Sequence, residues 1–99
     1  PPVVSWFEGQ FESGETAAGH PLVITLSRAH ATVLGTLPRT RGVPYGSDLR
    51  LFTNHAAMPA VLYGPGDVSL AHAVDEWIPL DQVTEAAVVL ALAIADWCS

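Results

Sequence analysis

The fold is decided by the stretch DQVTEAAVVLALAIADW, residues 81–97. Its apolar residues recur at helical spacing, and Asp81 can cap the first turn, so the stretch predicts a helix over residues 82–97. Apolar side chains also occupy most of the other faces of this helix. Because a helix that is apolar nearly all round is buried on more than one side, we expect it to need more covering structure than 99 residues supply.

A second helix is predicted after His20. Pro21 suits the first helical position, where a missing N–H group is no loss. Apolar residues then recur at helical spacing, and Gly35 is a natural C-terminal stop. The sequence therefore predicts a helix over residues 21–34.

Three segments have the composition of β-strands. Residues 59–63 (PAVLY) form a continuous apolar run that ends at a Gly-Pro-Gly turn, which is typical of a central strand. Residues 3–7 are rich in β-branched and aromatic side chains, and residues 39–43 are a shorter candidate. Helices and strands alternate from residue 20 onward, so we predict an α/β fold with a mixed sheet flanked by helices.

Residues 8–19 separate the first predicted strand from the rest. This segment carries three glycines, three glutamates, Ser13 and Thr16, which is the composition of a linker. We therefore predict a boundary or hinge at residues 8–19, between residues 1–7 and residues 20–99.

The charge balance excludes some classes of partner. The net charge is −6, with four arginines and no lysine, which argues against nucleic acid because clustered Lys and Arg supply most of that affinity. Charged residues make up only 14%, against about 25% in an ordinary soluble domain. We expect part of the surface to pack on another domain or subunit.

Two features of the sequence bear on the cellular compartment of the protein. Cys98 is the single cysteine, so no disulfide framework is possible, which fits a reducing compartment and a cytoplasmic protein. No basic region precedes an apolar stretch, as it would in a signal peptide. The apolar run at residues 86–95 is shorter than the roughly 18 residues that span a bilayer, so no membrane segment is expected.

A histidine follows the third predicted strand. Asp67 is placed to cap the turn that ends the strand, and His72 follows with Asp75 and Glu76 close behind. Neutral imidazole is a common metal ligand, and its second nitrogen usually needs an acceptor such as a carboxylate. The pattern predicts that His72 is a metal ligand. The alternative is an exposed loop histidine beside ordinary surface carboxylates.

Gly46 and Ser47 precede a short helix predicted over residues 48–54. The Ser47 hydroxyl can accept from the N–H groups of the first turn, and the same helix N-terminus can attract an anion. Gly46 and Ser47 can form a plain turn with a helix cap, or they can contact a substrate. The sequence leaves both roles open, and the two are compatible. Arg50 is expected to pair with either a structural partner or a substrate carboxylate.

Three motifs together resemble one known family. They are GVPYGSDLR at residues 42–50, MPAVLYGPG at residues 58–66, and Ala-His at 71–72 followed by Asp-Glu at 75–76. In this order and spacing, the chain resembles the C-terminal end of a zinc amidohydrolase of the acetylornithine deacetylase / succinyl-diaminopimelate desuccinylase group. The resemblance covers essentially all of the chain, although Val74 stands where many relatives have proline.

The resemblance implies a domain organisation. Members have a catalytic α/β domain interrupted by a smaller lid domain that often mediates dimerisation. Residues 1–7 would be the last strand of the lid, residues 8–19 the return hinge, and residues 20–99 the C-terminal portion of the catalytic domain. The implied partners are the rest of the catalytic domain and, for the full-length protein, a second copy in a homodimer.

The resemblance also implies a reaction, the cleavage of the amide bond of an N-acyl amino acid or small peptide. Two metal ions, usually zinc, would activate a shared water, and a glutamate would take its proton. His72 would supply one metal ligand, and Gly46 and Ser47 would lie near the carboxylate end of the substrate. The other ligands and the base lie in parts of the family sequence not represented here, so this piece alone is expected to be inactive. The alternative function is a non-catalytic module that binds or dimerises through its apolar faces.

Overall fold

The computed structural model describes residues 1–6, 8–9 and 11–99. Two α-helices, α1 (Pro21–Leu34) and α2 (Leu80–Trp97), pack on each other and carry most of the regular structure. Between them lie a π-helical turn at Leu51–His55 and a 3-10 turn at Val68–Leu70. The fold is therefore a helix pair with long irregular segments around it.

The predicted bounds of α1 are confirmed. The ring of His20 caps the helix, because its Nδ1 accepts from the backbone N–H of Leu22 at 3.0 Å. At the other end Gly35 takes a left-handed φ of 79° and donates its N–H to the carbonyl of Ala31 at 2.8 Å. Glycine adopts this conformation without the steric cost that a Cβ brings.

The second predicted helix is also found, but it begins earlier than expected. Its N-cap is Pro79, and Asp81 lies in the first turn, where its Oδ1 accepts from the N–H of Gln82 at 3.0 Å. Only Ala86 and Val89 of α2 are buried, so the described residues cover it on one side alone. No helix in the described residues has the length and hydropathy needed to cross a membrane.

The contact between α1 and α2 forms the core. Val23 and Ala29 of α1 and Ala86 and Val89 of α2 are the buried apolar residues of the described chain, and Val89 is 0% exposed. The distance between packed helices depends on the side chains at the contact, so the two alanines favour a close approach. Burying a valine side chain contributes about 1.5 to 3 kcal/mol.

The predicted α/β fold is wrong for this structure. None of the described residues forms a β-strand, so there is no mixed sheet between the helices. Residues 39–43, 59–63 and 3–6 all lie outside regular structure, and Phe7, the end of the predicted lid strand, is not among the described residues. Strand composition is not sufficient, because a strand also needs a neighbouring backbone to pair with its N–H and C=O groups.

At Ala60 a side chain takes the place of a strand neighbour. The Thr16 hydroxyl donates to the carbonyl of Ala60 at 2.6 Å and accepts from the N–H of Ala60 at 3.1 Å. Both backbone groups of Ala60 are thus satisfied without a ladder. These two hydrogen bonds also tie Thr16 of the predicted hinge to the apolar segment at residues 59–63.

The described chain leaves much of its surface open. Its accessible area is 7903 Å², whereas a self-contained protein of 10.5 kDa would expose about 5400 Å². The radius of gyration is 16.3 Å, against about 13 Å for a compact domain of 100 residues. Large apolar side chains account for part of the exposed area, among them Leu37, Trp77, Leu80, Val88, Leu90, Leu92, Ile94 and Trp97. This agrees with the low charge fraction.

An alanine with unusual backbone geometry follows the π-helical turn. Ala57 has φ 51°, in the left-handed region, and the turn closes through the N–H of Met58, which donates to the carbonyl of Phe52 at 2.9 Å. The left-handed region costs a residue with a Cβ about 1 to 2 kcal/mol, and glycine avoids that cost.

We predict that Ala57→Gly raises the free energy of unfolding by about 0.5 to 1 kcal/mol, because the relief of strain exceeds the added entropy of the unfolded chain. Denaturant or thermal unfolding of the full-length protein measures this change. The matched control is Ala56→Gly, at φ −99°, which is expected to be neutral or destabilising. Equal effects of the two substitutions would contradict the assignment of strain to Ala57.

Candidate functional site

His72 lies near the tip of a tight turn. The carbonyl of Leu70 accepts from the N–H of Ala73 at 3.1 Å, and the residues between them are Ala71, at φ −61° and ψ 133°, and His72, at φ 60°. These angles match a type II turn, in which the position of His72 usually requires glycine or asparagine. His72 therefore occupies a strained backbone position, and such strain concentrates at functional sites.

Asp67 holds the start of the same loop. Its Oδ1 accepts from both the N–H of Ser69, at 2.9 Å, and the hydroxyl of Ser69, at 2.7 Å. The sequence suggested that Asp67 caps the glycine turn that precedes it. In the structure Asp67 instead caps the 3-10 turn at Val68–Leu70 that follows it. The two bonds from Ser69 hold the pKa of Asp67 below its ordinary value of 3.8.

The glycine turn is fastened to α2. Gly66 has φ 89°, and its N–H donates to Oε1 of Gln82 at 3.1 Å. A Cβ at Gly66 would also lie 3.1 Å from the Ile78 side chain, so glycine is favoured by both conformation and space. The loop that carries His72 therefore starts from a point fixed against the first turn of α2.

The described residues do not complete a metal centre. His72, Asp75 and Glu76 are all exposed, and no group of three or more His, Cys, Asp or Glu side chains in the described chain could hold a metal ion. A structural or catalytic zinc site needs three or four protein ligands. The loop thus offers one exposed imidazole, and the assignment of His72 as a metal ligand stays a prediction.

An open hollow of about 1960 Å³ lies between the irregular segments. Gly46, Ser47 and Arg50 line it, and so do Ala71 and Glu76 on either side of His72. Pockets for small ligands measure about 300 to 1000 Å³, so this hollow is larger than a substrate pocket. The two predicted site regions therefore border one concave face, which has room for further protein as well as for a substrate.

Gly46 and Ser47 have structural roles on this face. The Ser47 hydroxyl accepts from the N–H of Leu49 at 3.3 Å and so caps the turn that follows, as predicted. The predicted helix at 48–54 is found as the π-helical turn Leu51–His55. A Cβ at Gly46 would lie 2.9 Å from Cγ of Phe11, so a side chain at this position would require the Phe11 ring, which is 60% exposed, to shift. Contact of Gly46 and Ser47 with a substrate stays a prediction.

Part of the predicted hinge is docked on this turn. The guanidinium carbon of Arg50 lies 4.7 Å from the centre of the Phe11 ring, in a cation–π contact. Arg50 thus has the structural partner that was one of its two expected roles. Its Nη1 also lies 3.9 Å from the carboxylate of Asp48, which is 84% exposed, so this ion pair contributes little.

Two further contacts fasten the docked segment, which we define as residues 11–16. Asn54 Nδ2 donates to the carbonyl of Ser13 at 2.8 Å. Nε2 of His55 lies 2.5 Å from Oε1 of Glu12, and this hydrogen bond holds the pKa of Glu12 below its ordinary value of 4.5. Because this segment has the composition of a linker, its docking was not predicted from the sequence. The available signal was Phe11, an aromatic residue in a stretch otherwise rich in glycine and glutamate.

Comparison with known proteins identifies the class. The chain is 34% identical over 92 residues to N-formyl-4-amino-5-aminomethyl-2-methylpyrimidine deformylase of Bacillus subtilis, covering 90% of this chain and 21% of that protein. It is 35% identical over 68 residues to acetylornithine deacetylase of Myxococcus xanthus, covering 69% of this chain and 17% of that protein. No solved structure matches the chain.

A family model places the chain among hydrolases. The model that matches residues 4–96 describes peptidase family M20/M25/M40, and the chain belongs to this family. The resemblance to amidohydrolases inferred from the three motifs is thereby confirmed. Members of the family are in general metal-dependent. The chain spans about a fifth of the length of the two relatives.

Asp67 gives a prediction about pH. Its pKa is lowered in the folded protein, so its bonds to Ser69 stabilise the fold above the ordinary pKa of 3.8 and are lost as the pH falls through the lower folded value. We expect Asp67→Asn to lower the thermal unfolding midpoint at neutral pH. The difference from wild type should narrow below a pH of about 3.8. A difference that stays constant down to pH 3 would contradict the role of the carboxylate.

Proposed function

We propose that the full-length protein containing these residues is a dinuclear zinc hydrolase that cleaves the amide bond of an N-acyl amino acid or small peptide. Membership of the M20/M25/M40 family over residues 4–96 is the observation that carries this proposal. The two relatives, named as a deformylase and a deacetylase, support the removal of an acyl group from nitrogen. His72 is the metal ligand supplied by this chain.

The geometry of His72 fits one ligand of a larger set. Its side chain is exposed, so a ring nitrogen can reach a cation. Asp75 and Glu76 follow closely in the sequence and are available to accept from the other nitrogen. When bound, the metal would lower the pKa of a coordinated water and polarise the substrate carbonyl. The remaining ligands come from other parts of the protein.

The domain organisation belongs to the same proposal. Residues 1–7 end a lid domain, residues 8–19 form the return hinge, and residues 20–99 are the C-terminal portion of the catalytic domain. The excess of exposed surface supports the rest of the catalytic domain as the partner that covers α2. We further propose a homodimer and a cytoplasmic location for the full-length protein, and the single cysteine among these 99 residues fits that location.

A second function uses the same exposed surface differently. The chain could serve as a non-catalytic module that binds or dimerises through α2. The apolar residues that α2 leaves exposed favour this reading, because patches of this kind mark interaction sites. The two functions differ in one respect, since the module requires neither bound metal nor hydrolysis.

The test is replacement of His72 in the full-length protein. His72→Gly removes the imidazole but keeps a residue that suits the left-handed turn, so loss of function reflects loss of the ligand. We expect metal content to fall and hydrolysis of N-acetyl amino acids to drop at least about 100-fold, since even supporting groups around a metal matter by 10- to 100-fold. Metal analysis and an amine-release assay measure the two effects.

His72→Ala and His72→Asn serve as matched controls for the turn. Alanine should lose the ligand and keep the backbone strain that His72 already carries, so it should be about 1 kcal/mol less stable than His72→Gly, whereas asparagine tolerates the left-handed region. Thermal unfolding separates these effects from metal loss. Unchanged metal content and rate in His72→Gly would remove His72 from the site. A wild-type protein that binds no metal and hydrolyses none of these substrates would favour the binding module.

A further inference from the structure

The docked segment and the Gly46–Ser47 loop share one aromatic ring. The Phe11 ring lies close to the backbone of Gly46, where a Cβ would come 2.9 Å from its Cγ. The centre of the same ring lies 4.7 Å from the guanidinium carbon of Arg50. Displacement of Phe11 would therefore remove the packing partner of both residues.

Arg50 connects this ring to the loop a second time. Its Nη1 donates to the carbonyl of Ser47 at 3.5 Å, a long hydrogen bond, and its side chain is only 21% exposed. The planar guanidinium can stack on a ring and donate in its own plane at the same time, which lysine cannot do. Arg50 thus contacts both the Phe11 ring and the carbonyl of Ser47.

Backbone packing fixes the register of the segment. A Cβ at Gly14 would lie 2.9 Å from Cα of Arg50 and 2.7 Å from Oγ1 of Thr53, so the segment approaches the turn too closely for any side chain at this position. Asn54 holds the carbonyl of Ser13 from the same turn. The docking is therefore specific to one register of the chain.

We propose that Phe11 and Arg50 are positioning residues that couple the docked segment to the Gly46–Ser47 loop, so that the loop keeps its shape only while residues 11–16 are docked. The consequence for activity is that the predicted hinge controls the Gly46–Ser47 loop, which is expected to face the substrate. This consequence rests on the proposed function. The contact itself does not depend on that function.

The first test measures the loop directly. Hydrogen exchange of the full-length protein should be about threefold faster at the amide of Leu49, which donates to Ser47 Oγ, in Phe11→Ala and in Arg50→Ala. This is the size expected for loss of a cation–π contact whose ring is 60% exposed. The amides of α1 should not change, which separates loop release from general destabilisation. Phe11→Tyr keeps the ring face and should restore the wild-type rate.

The control is another aromatic residue near the start of the chain. Trp6 is 81% exposed, and Trp6→Ala should leave exchange at Leu49 unchanged. The proposal is overturned if Phe11→Ala leaves this amide as protected as in the wild type. It is also overturned if Trp6→Ala accelerates its exchange to the same degree, because the effect would then not be specific to the docked ring.

The second test measures the consequence for the reaction. With the N-acetyl amino acid that the wild type hydrolyses fastest, Phe11→Ala should raise KM about threefold, with metal content and kcat unchanged. Phe11→Tyr should restore KM. Unchanged KM together with faster loop exchange would overturn the link to substrate. If the wild type hydrolyses none of these substrates and holds no metal, the proposed function fails, and hydrogen exchange still decides the coupling.

Discussion

The contact between α1 and α2 is the constraint on which the rest of the structure depends. It contains the buried apolar residues of the described chain, and the long segment that joins the two helices carries both candidate site loops. Side-chain bonds then fasten that segment at separate points, at Ala60 through Thr16 and at Gly66 through Gln82 of α2. The loops are held by these few polar contacts on a small apolar core, and not by a sheet.

The parts of the fold that local sequence determines were predictable. Helix α1 is set by the proline at its start, the glycine at its end and the apolar spacing between them. These signals all lie within the helix itself, so its bounds can be predicted from its own sequence. Strands are different, because their stability comes from a neighbouring backbone that the strand sequence does not specify. Residues 59–63 have strand composition, yet the Thr16 hydroxyl satisfies Ala60 and no ladder forms in the described chain.

The candidate site divides in the same way. The cap at Ser47 is local and the sequence located it, whereas the role of His72 stays a prediction. The docking of Phe11 on Arg50 joins residues far apart in the chain, and the polar composition around Phe11 pointed to a free linker. Composition describes the average of a segment, whereas a single ring can decide whether that segment is docked. The type II turn at His72 was also missed, since histidine is enriched in the left-handed region but most histidines lie outside it.

The strain at His72 has a consequence for how the loop is built. A residue with a Cβ in the left-handed region lies about 1 to 2 kcal/mol above its relaxed conformation, so the turn persists only where neighbouring contacts determine it. Asp67 supplies such a contact by capping the 3-10 turn just before it, and Gln82 supplies another by holding Gly66 to α2. Glycine at position 72 would have formed the same turn without strain. The loop is anchored just before this turn, yet an imidazole occupies its left-handed position. This is understandable if position 72 requires the imidazole side chain, and the turn geometry is secondary.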